Sequence, residues 1–364
     1  MIRPFYLRDA RLVARLQQAG TPLDIEEQLT HPRSPLRSVF LDTLLSPRTG
    51  PLTFILDQHD DNGRHLGLAQ VRARPGRPER DVVFMSPTLS SGNGSHAIWQ
   101  RLLTHLCVKT AESGTFRVYA RLPLHSEELQ IFRNVGFFEY AQEEIYQLDP
   151  KVDRAELQPG LVLRPQETDD GWGLQKLYAS LTPRAVQNAE GLAQGQWELN
   201  RRSRRTQGRL SGYVWEVDDE ILGALHIRAG KRGYAIRTLL HPDALDRAEA
   251  LCQAALKLTI LEPILPVYFI FRQYEAGWQN VLPLLGFNPL TSQVLVIKPM
   301  TVRVREKTST LLPALEASPT EGAASTTVMS PFKLQPAGHE PDSGRQRARN
   351  GQVKSKRNRT PPVL

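Results

Sequence analysis

Asp81-Val82-Val83-Phe84-Met85 reads as a strand, and the chain then runs Ser86-Pro87-Thr88-Leu89-Ser90-Ser91-Gly92-Asn93-Gly94-Ser95-His96 into a long helix. A helix that begins on a glycine loop presents unpaired backbone N–H groups and the positive end of its dipole, and the missing side chains let a diphosphate approach. Ser91, Gly92, Asn93, Gly94, Ser95 and His96 are the residues whose amides or side chains would meet such an anion. The same stretch also fits a plain polar turn in which Ser95 caps the helix. His125, after Leu122-Pro123-Leu124, has the residue type for acid or base work near neutral pH, and equally that of a residue entering a helix. His96 reads as a phosphate contact or as a surface histidine. Between Asn200 and Arg209 stand five arginines, which suit either a phosphate clamp or a solvated loop. No aromatics interleave with them, so they do not form a stacking surface for single-stranded nucleic acid.

The elements that would position this chemistry occur twice. The first copy opens on Ile2-Arg3-Pro4 and closes on Ile131-Phe132-Arg133-Asn134-Val135-Gly136-Phe137; the second opens on Leu163-Arg164-Pro165 and closes on Val281-Leu282-Pro283-Leu284-Leu285-Gly286-Phe287. A repeat this long means tandem domains of one fold rather than a solenoid. In the first copy, helical spacing covers residues 9–19, three alternating strands run over 52–57, 65–74 and 80–85, and a helix with Ile98, Trp99, Leu102, Leu103 and Leu106 on one side spans 95–112. A strand over 115–122, a helix over 126–134 and a strand over 137–148 complete it. The second copy predicts helix 170–180, strands 212–217, 220–228 and 233–240, helix 242–259, strand 266–271, helix 275–285 and strand 291–297. An antiparallel meander followed by a crossover gives each domain its own mixed sheet with helices on its faces. The predicted organisation is a domain over 1–150, a linker at 153–159, a second domain over 160–300, and a tail over 301–364.

This order of elements, with Gly92 and Gly94 at the strand-to-helix turn, resembles the GNAT superfamily of acyl-CoA N-acyltransferases. The chain to about residue 298 resembles a tandem pair with a degenerate second copy. The resemblance implies an α/β (α+β mixed sheet) fold, acetyl-CoA or another acyl-CoA as co-substrate, and an amine acceptor. It implies that the strand before the loop and the next strand splay apart. The pantetheine arm then hydrogen-bonds like an extra strand along Val83, Phe84 and Met85, with its pyrophosphate on the loop amides. It also implies a catalytic tyrosine, and that position is Phe132, which donates no proton. Leu89 stands where the family has Gln or Arg, and His125 where many members have Asn; His125 is the remaining catalytic candidate. Glu79 and Asp81 are the available carboxylates for a base, or edge charges. The second copy runs Leu240-His241-Pro242-Asp243-Ala244-Leu245-Asp246 with no glycine, its two acids repel phosphate, and Leu282 holds its tyrosine position.

Two functions follow. One is an N-acyltransferase acting through the N-terminal domain by direct attack of a neutral amine on the thioester. Orientation of two reactants supplies about 7–11 kcal/mol of such a barrier, against roughly 10²–10⁴-fold for proton transfer, so losing the tyrosine slows the reaction without forbidding it. The alternative is a catalytically inactive GNAT-derived binding or scaffold protein that retains a CoA site.

Composition adds limits. The formal net charge of +8 is concentrated at the end of the chain, in Arg345, Arg347, Arg349, Lys354, Lys356, Arg357 and Arg359, within a tail whose composition predicts disorder. Such a tail is a solvated segment or a contact for an anionic partner, and nucleic acid bound through it would be released by salt. The two cysteines, Cys107 and Cys252, fall in predicted helices and suit a reducing compartment. Charges break any leader-like start, and no stretch reaches the roughly 18 apolar residues of a membrane span. The reading is a cytoplasmic protein with no membrane contact and no metal.

Overall fold

The structure, a computed structural model, describes residues 1–39, 52–60, 63–74, 76–92, 94–154, 157, 160–191, 197, 199, 209–260, 265–275 and 277–300. The tail over 301–364, Asn93 and the arginine run over 200–208 lie outside the described residues. In chain order the first copy forms β1 (Ile2–Pro4), α1 (Ala10–Leu16), β2 (Thr21–Pro22), α2 (Ile25–Thr30), β3 (Leu52–Asp60), β4 (Gly63–Ala73), β5 (Glu79–Ser86), α3 (Ser95–Glu112), β6 (Arg117–Pro123), α4 (Glu127–Asn134) and β7 (Phe138–Leu148). The second forms β8 (Arg164–Pro165), α5 (Gly171–Leu181), α6 (Arg184–Ala189), β9 (Arg209–Val217), β10 (Glu220–Ala229), β11 (Tyr234–Leu240), α7 (Ala248–Lys257), β12 (Val267–Arg272), α8 (Trp278–Leu284) and β13 (Phe287–Pro299).

The repeat seen in sequence is a repeat of hydrogen bonds. Arg3 forks onto Asp9 at 2.6 and 2.8 Å, and Arg164 forks onto Asp170 at 2.9 and 2.7 Å. Each aspartate also accepts a backbone N–H ahead of its first helix, from Tyr6 at 2.9 Å and from Glu167 at 2.7 Å. The Arg-Pro entry therefore pins the start of a strand to the start of a helix in both copies. Gly136 and Gly286 sit at φ 91° and 82° and turn α4 and α8 into the last strands, a conformation that side chains disfavour.

The two copies do not build two sheets. One sheet runs β1-β3-β4-β5-β6-β13-β7-β12-β11-β10-β9-β8, with β2 attached to β5. The last strands are exchanged: β13 of the second copy lies against β6, with Val294 opposite Leu122, and β7 of the first lies against β12, with Tyr146 opposite Phe269. A boundary at 150 divides the sequence but cuts through the ladders of this sheet.

On the back face α3 and α4 bury Trp99, Leu102, Leu106 and Phe132, and α7 and α8 bury Leu251, Cys252, Ala255 and Leu282. On the front face α1 packs Val13 and Leu16 on Ile55, Leu68 and Phe84, while α5 packs Leu174, Leu177 and Tyr178 on Val214 and Ala224. α2 crosses onto the other copy, setting Ile25 and Leu29 against Ile145, Ala235 and Ile270. The helix expected over 242–259 begins as a 3₁₀ segment, Pro242–Arg247, before α7. Trp278 is buried as a packing residue, whereas Trp172 is 81% exposed at the start of α5.

Candidate functional site

Parallel β5 and β6 pair only at Glu79–Arg117, Arg80–Val118 and Asp81–Tyr119, and then part. The gap that the resemblance implies is therefore present, and the chain itself fills it. β2 adds to the free side of β5 with Thr21 opposite Met85 and Pro22 opposite Phe84. Leu23 N–H donates to the Val83 carbonyl at 3.0 Å, and Thr88 N–H donates to the Ala19 carbonyl at 2.8 Å. Leu23 is buried in the back-face core with Met85, Trp99 and Leu122. Gly20 is required by the close approach, since a Cβ there would lie 2.2 Å from the Phe84 ring and 2.9 Å from the Met85 carbonyl oxygen. The expectation that Val83, Phe84 and Met85 offer a free edge to a pantetheine arm is corrected: that edge is already hydrogen-bonded. Val83 and Phe84 line only a hollow of about 40 Å³ with Pro22 and Asp24.

The glycine loop is open. Gly92 and Gly94 hold φ 74° and 70°, and a Cβ on either would meet no atom within 4 Å. Gly94, not Ser95, is the N-cap of α3. Ser95 is buried and its hydroxyl donates back to the Leu89 carbonyl at 3.0 Å, while the Ser91 hydroxyl donates to the Thr88 carbonyl at 2.7 Å. Helix geometry leaves the first-turn amides of His96 and Ala97 without an intrahelical acceptor, the condition an anion at this turn would require. The exposed His96 imidazole stands 3.3 Å from Glu127. His125 is exposed at φ 58°. Phe132 is fully buried, edge-on to Phe137 at 4.9 Å, and faces no cleft. Asp81 is gripped by Arg74 at 2.7 Å, and Glu79 lies 3.3 Å from Arg117 and 3.6 Å from Arg74 and Arg77, so neither carboxylate is free.

The second copy reverses these conditions. β11 and β12 pair from Tyr234–Val267 to Ile236–Phe269 and then part. His241 N–H reaches the Leu222 carbonyl at 2.8 Å on the β10 side, so by strand alternation Thr238 and Leu240 point their backbone groups into the gap. The helix start beyond it carries Asp243 and Asp246, both exposed, and no glycine. A CoA needs a free strand edge and an anion-binding turn in one place. Each copy supplies one of the two, so the described residues do not fit the whole cofactor.

A cavity of about 410 Å³ lies elsewhere, on the front face, and neither the glycine loop nor His125 lines it. Beside it runs an ionic network centred on Glu143 of the exchanged strand β7, with arginines from β6, β11 and β12. Glu143 of β7 is fully buried and accepts from Arg237 at 2.7 and 3.2 Å, from Gln293 at 2.6 Å, and pairs with Arg272 at 3.0 Å. Burial works to raise the Glu143 pKa; Arg237, Arg272 and Arg121 overcome it and hold the carboxyl well below the usual range. Arg237 also reaches Glu26 of α2 at 2.8 Å, and Arg272 reaches Glu190 at 2.9 Å. At the end of β12, Glu275 accepts the Arg272 N–H at 3.0 Å, and burial pushes its carboxyl up to about 7. His226, bonded to Gln166 at 2.9 Å and stacked on Trp197 at 4.5 Å, is pushed down to about 3 by burial and then by Arg228. Sequence reasoning missed this cluster. Its signal was the arginines set within apolar strand runs, as in Ala120-Arg121-Leu122, Ile236-Arg237-Thr238 and Phe271-Arg272.

Among solved structures, the chain is similar to a GCN5-related N-acetyltransferase from Sphaerobacter thermophilus at 16% identity and TM-score 0.50, covering 82% of this chain and 95% of that one. It is similar to a tandem GNAT protein from the clavulanic acid biosynthesis pathway, also at 16% identity and TM-score 0.50, covering 83% and 98%. No family model matches the chain, and no curated protein matches it. The likeness fixes the architecture: the chain has the tandem GNAT fold, an α/β fold on a mixed sheet. Among the described residues no helix is long and apolar enough to cross a membrane, and no group of three or more His, Cys, Asp or Glu is arranged to hold a metal ion.

Proposed function

We propose that this protein has turned the tandem GNAT fold into a small-molecule-binding protein, with its ligand in the front-face cavity and no acyl-CoA in the N-terminal half. The observation that carries this reading is β2, hydrogen-bonded along the edge of β5 that an acyl carrier's arm would need. The cavity has the size of small-molecule sites, roughly 300–1,000 Å³, and its lining is dominated by charged side chains that converge on it. The cysteines are both free and buried, which supports a cytoplasmic setting.

The test is calorimetry with acetyl-CoA on the full chain, beside a Gly92→Asp, Gly94→Asp double variant. The expected result is no binding by either protein at millimolar ligand. Tight binding by the wild type that the double variant loses would restore the N-terminal half as an acyl-CoA site and sink this reading.

One observation favours a second reading, acyl transfer to an amine in the C-terminal half. Glu275, near neutral in pKa, lies on the cavity beside the open gap between β11 and β12, where a base would accept the proton of an attacking amine. That reading predicts thiol release from acetyl-CoA with some amine of a panel, rising through pH 7 and abolished by Glu275→Gln. Absence of release leaves the binding reading alone.

A further inference from the structure

Most arginines around the cavity are already committed to carboxylates. Arg72 bonds Asp24 at 2.9 Å and also Glu27, Arg74 bonds Asp81 at 2.7 Å, and Arg228 bonds Glu26 at 2.5 Å. Arg237 and Arg272 hold Glu143, Glu26 and Glu190 as described above. Two others stand apart.

Arg121 rises from the middle of the sheet floor on β6. Among the described residues its nearest carboxylate oxygens are on Glu143 at 3.7 Å and Asp24 at 3.9 Å, it makes no hydrogen bond, and its Nε is buried without a partner. Among the described residues Arg33 reaches only Glu27, at 3.8 Å, and its Nη2 is likewise buried without a partner. Both side chains line the cavity and are only 23% and 22% exposed. A guanidinium carries five donors in a rigid fork. Leaving such donors unpaired in a desolvated site costs free energy, and a carboxylate or phosphate oxyanion is the group that satisfies two of them at once.

We propose that the cavity is an oxyanion-binding site, in which Arg121 and Arg33 take the carboxylate or phosphate group of a small ligand. The inference rests on the cavity being a ligand site, and it adds the ligand's chemical class. Thr238, whose hydroxyl is buried without a partner among the described residues, and the Glu275 carboxyl line the same cavity from β11 and the end of β12. They suit a hydroxyl or amide at the ligand's other end.

The test uses the full chain and defined probes. Citrate and succinate stand for carboxylates, inorganic phosphate and pyrophosphate for phosphates, with glycerol and putrescine as neutral and cationic controls, each titrated by calorimetry and by thermal shift. One of the anionic pairs should bind, and which pair binds assigns the ligand's headgroup. Arg121→Gln should weaken that binding by roughly tenfold or more, a difference of about 1.4 kcal/mol. Arg121→Lys should recover part of it, since charge returns without the fork. Arg33→Gln should weaken it too, and serves alone if the Arg121 variants fail to fold. Binding of glycerol or putrescine but of no anion, or anion binding unchanged in every arginine variant, overturns the oxyanion inference and leaves the cavity a ligand site. Binding of no probe of any charge overturns both.

Discussion

His226 and Glu275 line one cavity and are moved by burial in opposite directions, since burial disfavours whichever form is charged. His226 falls from 6.5 to about 3, so the unfolded chain binds the extra proton between those values and stability drops as pH falls. Glu275 rises from 4.5 to about 7, so the folded chain binds the extra proton and stability climbs as pH falls through that window. Between pH 4.5 and 6.5 the two slopes oppose each other and these groups leave stability nearly flat. In Glu275→Gln the histidine acts unopposed, and stability should fall by up to about 1.4 kcal/mol per pH unit on acidification through that window. Urea melts at stepped pH check it; a flat profile in the variant would mean that His226 is hydrated in solution. None of this was legible from residues alone. A histidine inside Ala224-Leu225-His226-Ile227 signals burial, but its partners, Gln166 and Trp197, come from the other end of the copy.

β2 decides what the N-terminal half can bind. The first copy spends residues 17–24 between its two front helices, enough chain to dip into the gap beside β5, whereas the second has only Thr182 and Pro183 there and leaves its gap open. Both segments contain Thr-Pro, and that echo is visible in sequence. What is not visible is that two residues form a strand, because Gly20-Thr21-Pro22 has the composition of a turn and its partner edge lies over sixty residues away. The long elements were readable for the opposite reason. α3 and the strands over 52–86 carry their own periodicity, and Arg3 and Arg164 mark where each copy begins. Gly20→Val should unseat β2 by forcing a Cβ into Phe84, at a cost of roughly 1–3 kcal/mol. Faster hydrogen exchange at Leu23 is the expected readout, and acetyl-CoA binding gained by the variant alone would identify β2 as the plug. Unchanged exchange at Leu23 would show that the strand does not depend on this contact.

At the scale of the whole molecule, sequence symmetry predicts two domains and the exchanged strands join them. β7 carries three glutamates over 11 residues and β13 the apolar run Val294 to Ile297 over 13, and each pairs along a strand of the other copy; that pairing is a property of the assembled sheet. Each half lends its final strand to the other, and the Glu143 network locks the centre across both. A protease site inserted after Asp153 should therefore cut the chain without parting it. The cleaved protein should elute at its uncut size and melt in one transition, while 1–154 or 155–300 expressed alone should not yield a folded monomer. Two independently folded fragments would contradict the exchange.

The exchange also governs how the protein is made. When β6 leaves the ribosome its neighbour β13 has not yet been translated, so the nascent N-terminal half carries a bare edge until nearly three hundred residues have been synthesised. An unpaired strand edge is a template for pairing with another nascent chain. Translation speed and chaperone supply over the stretch between β7 and β13 should thus govern yield more strongly than either half's intrinsic stability.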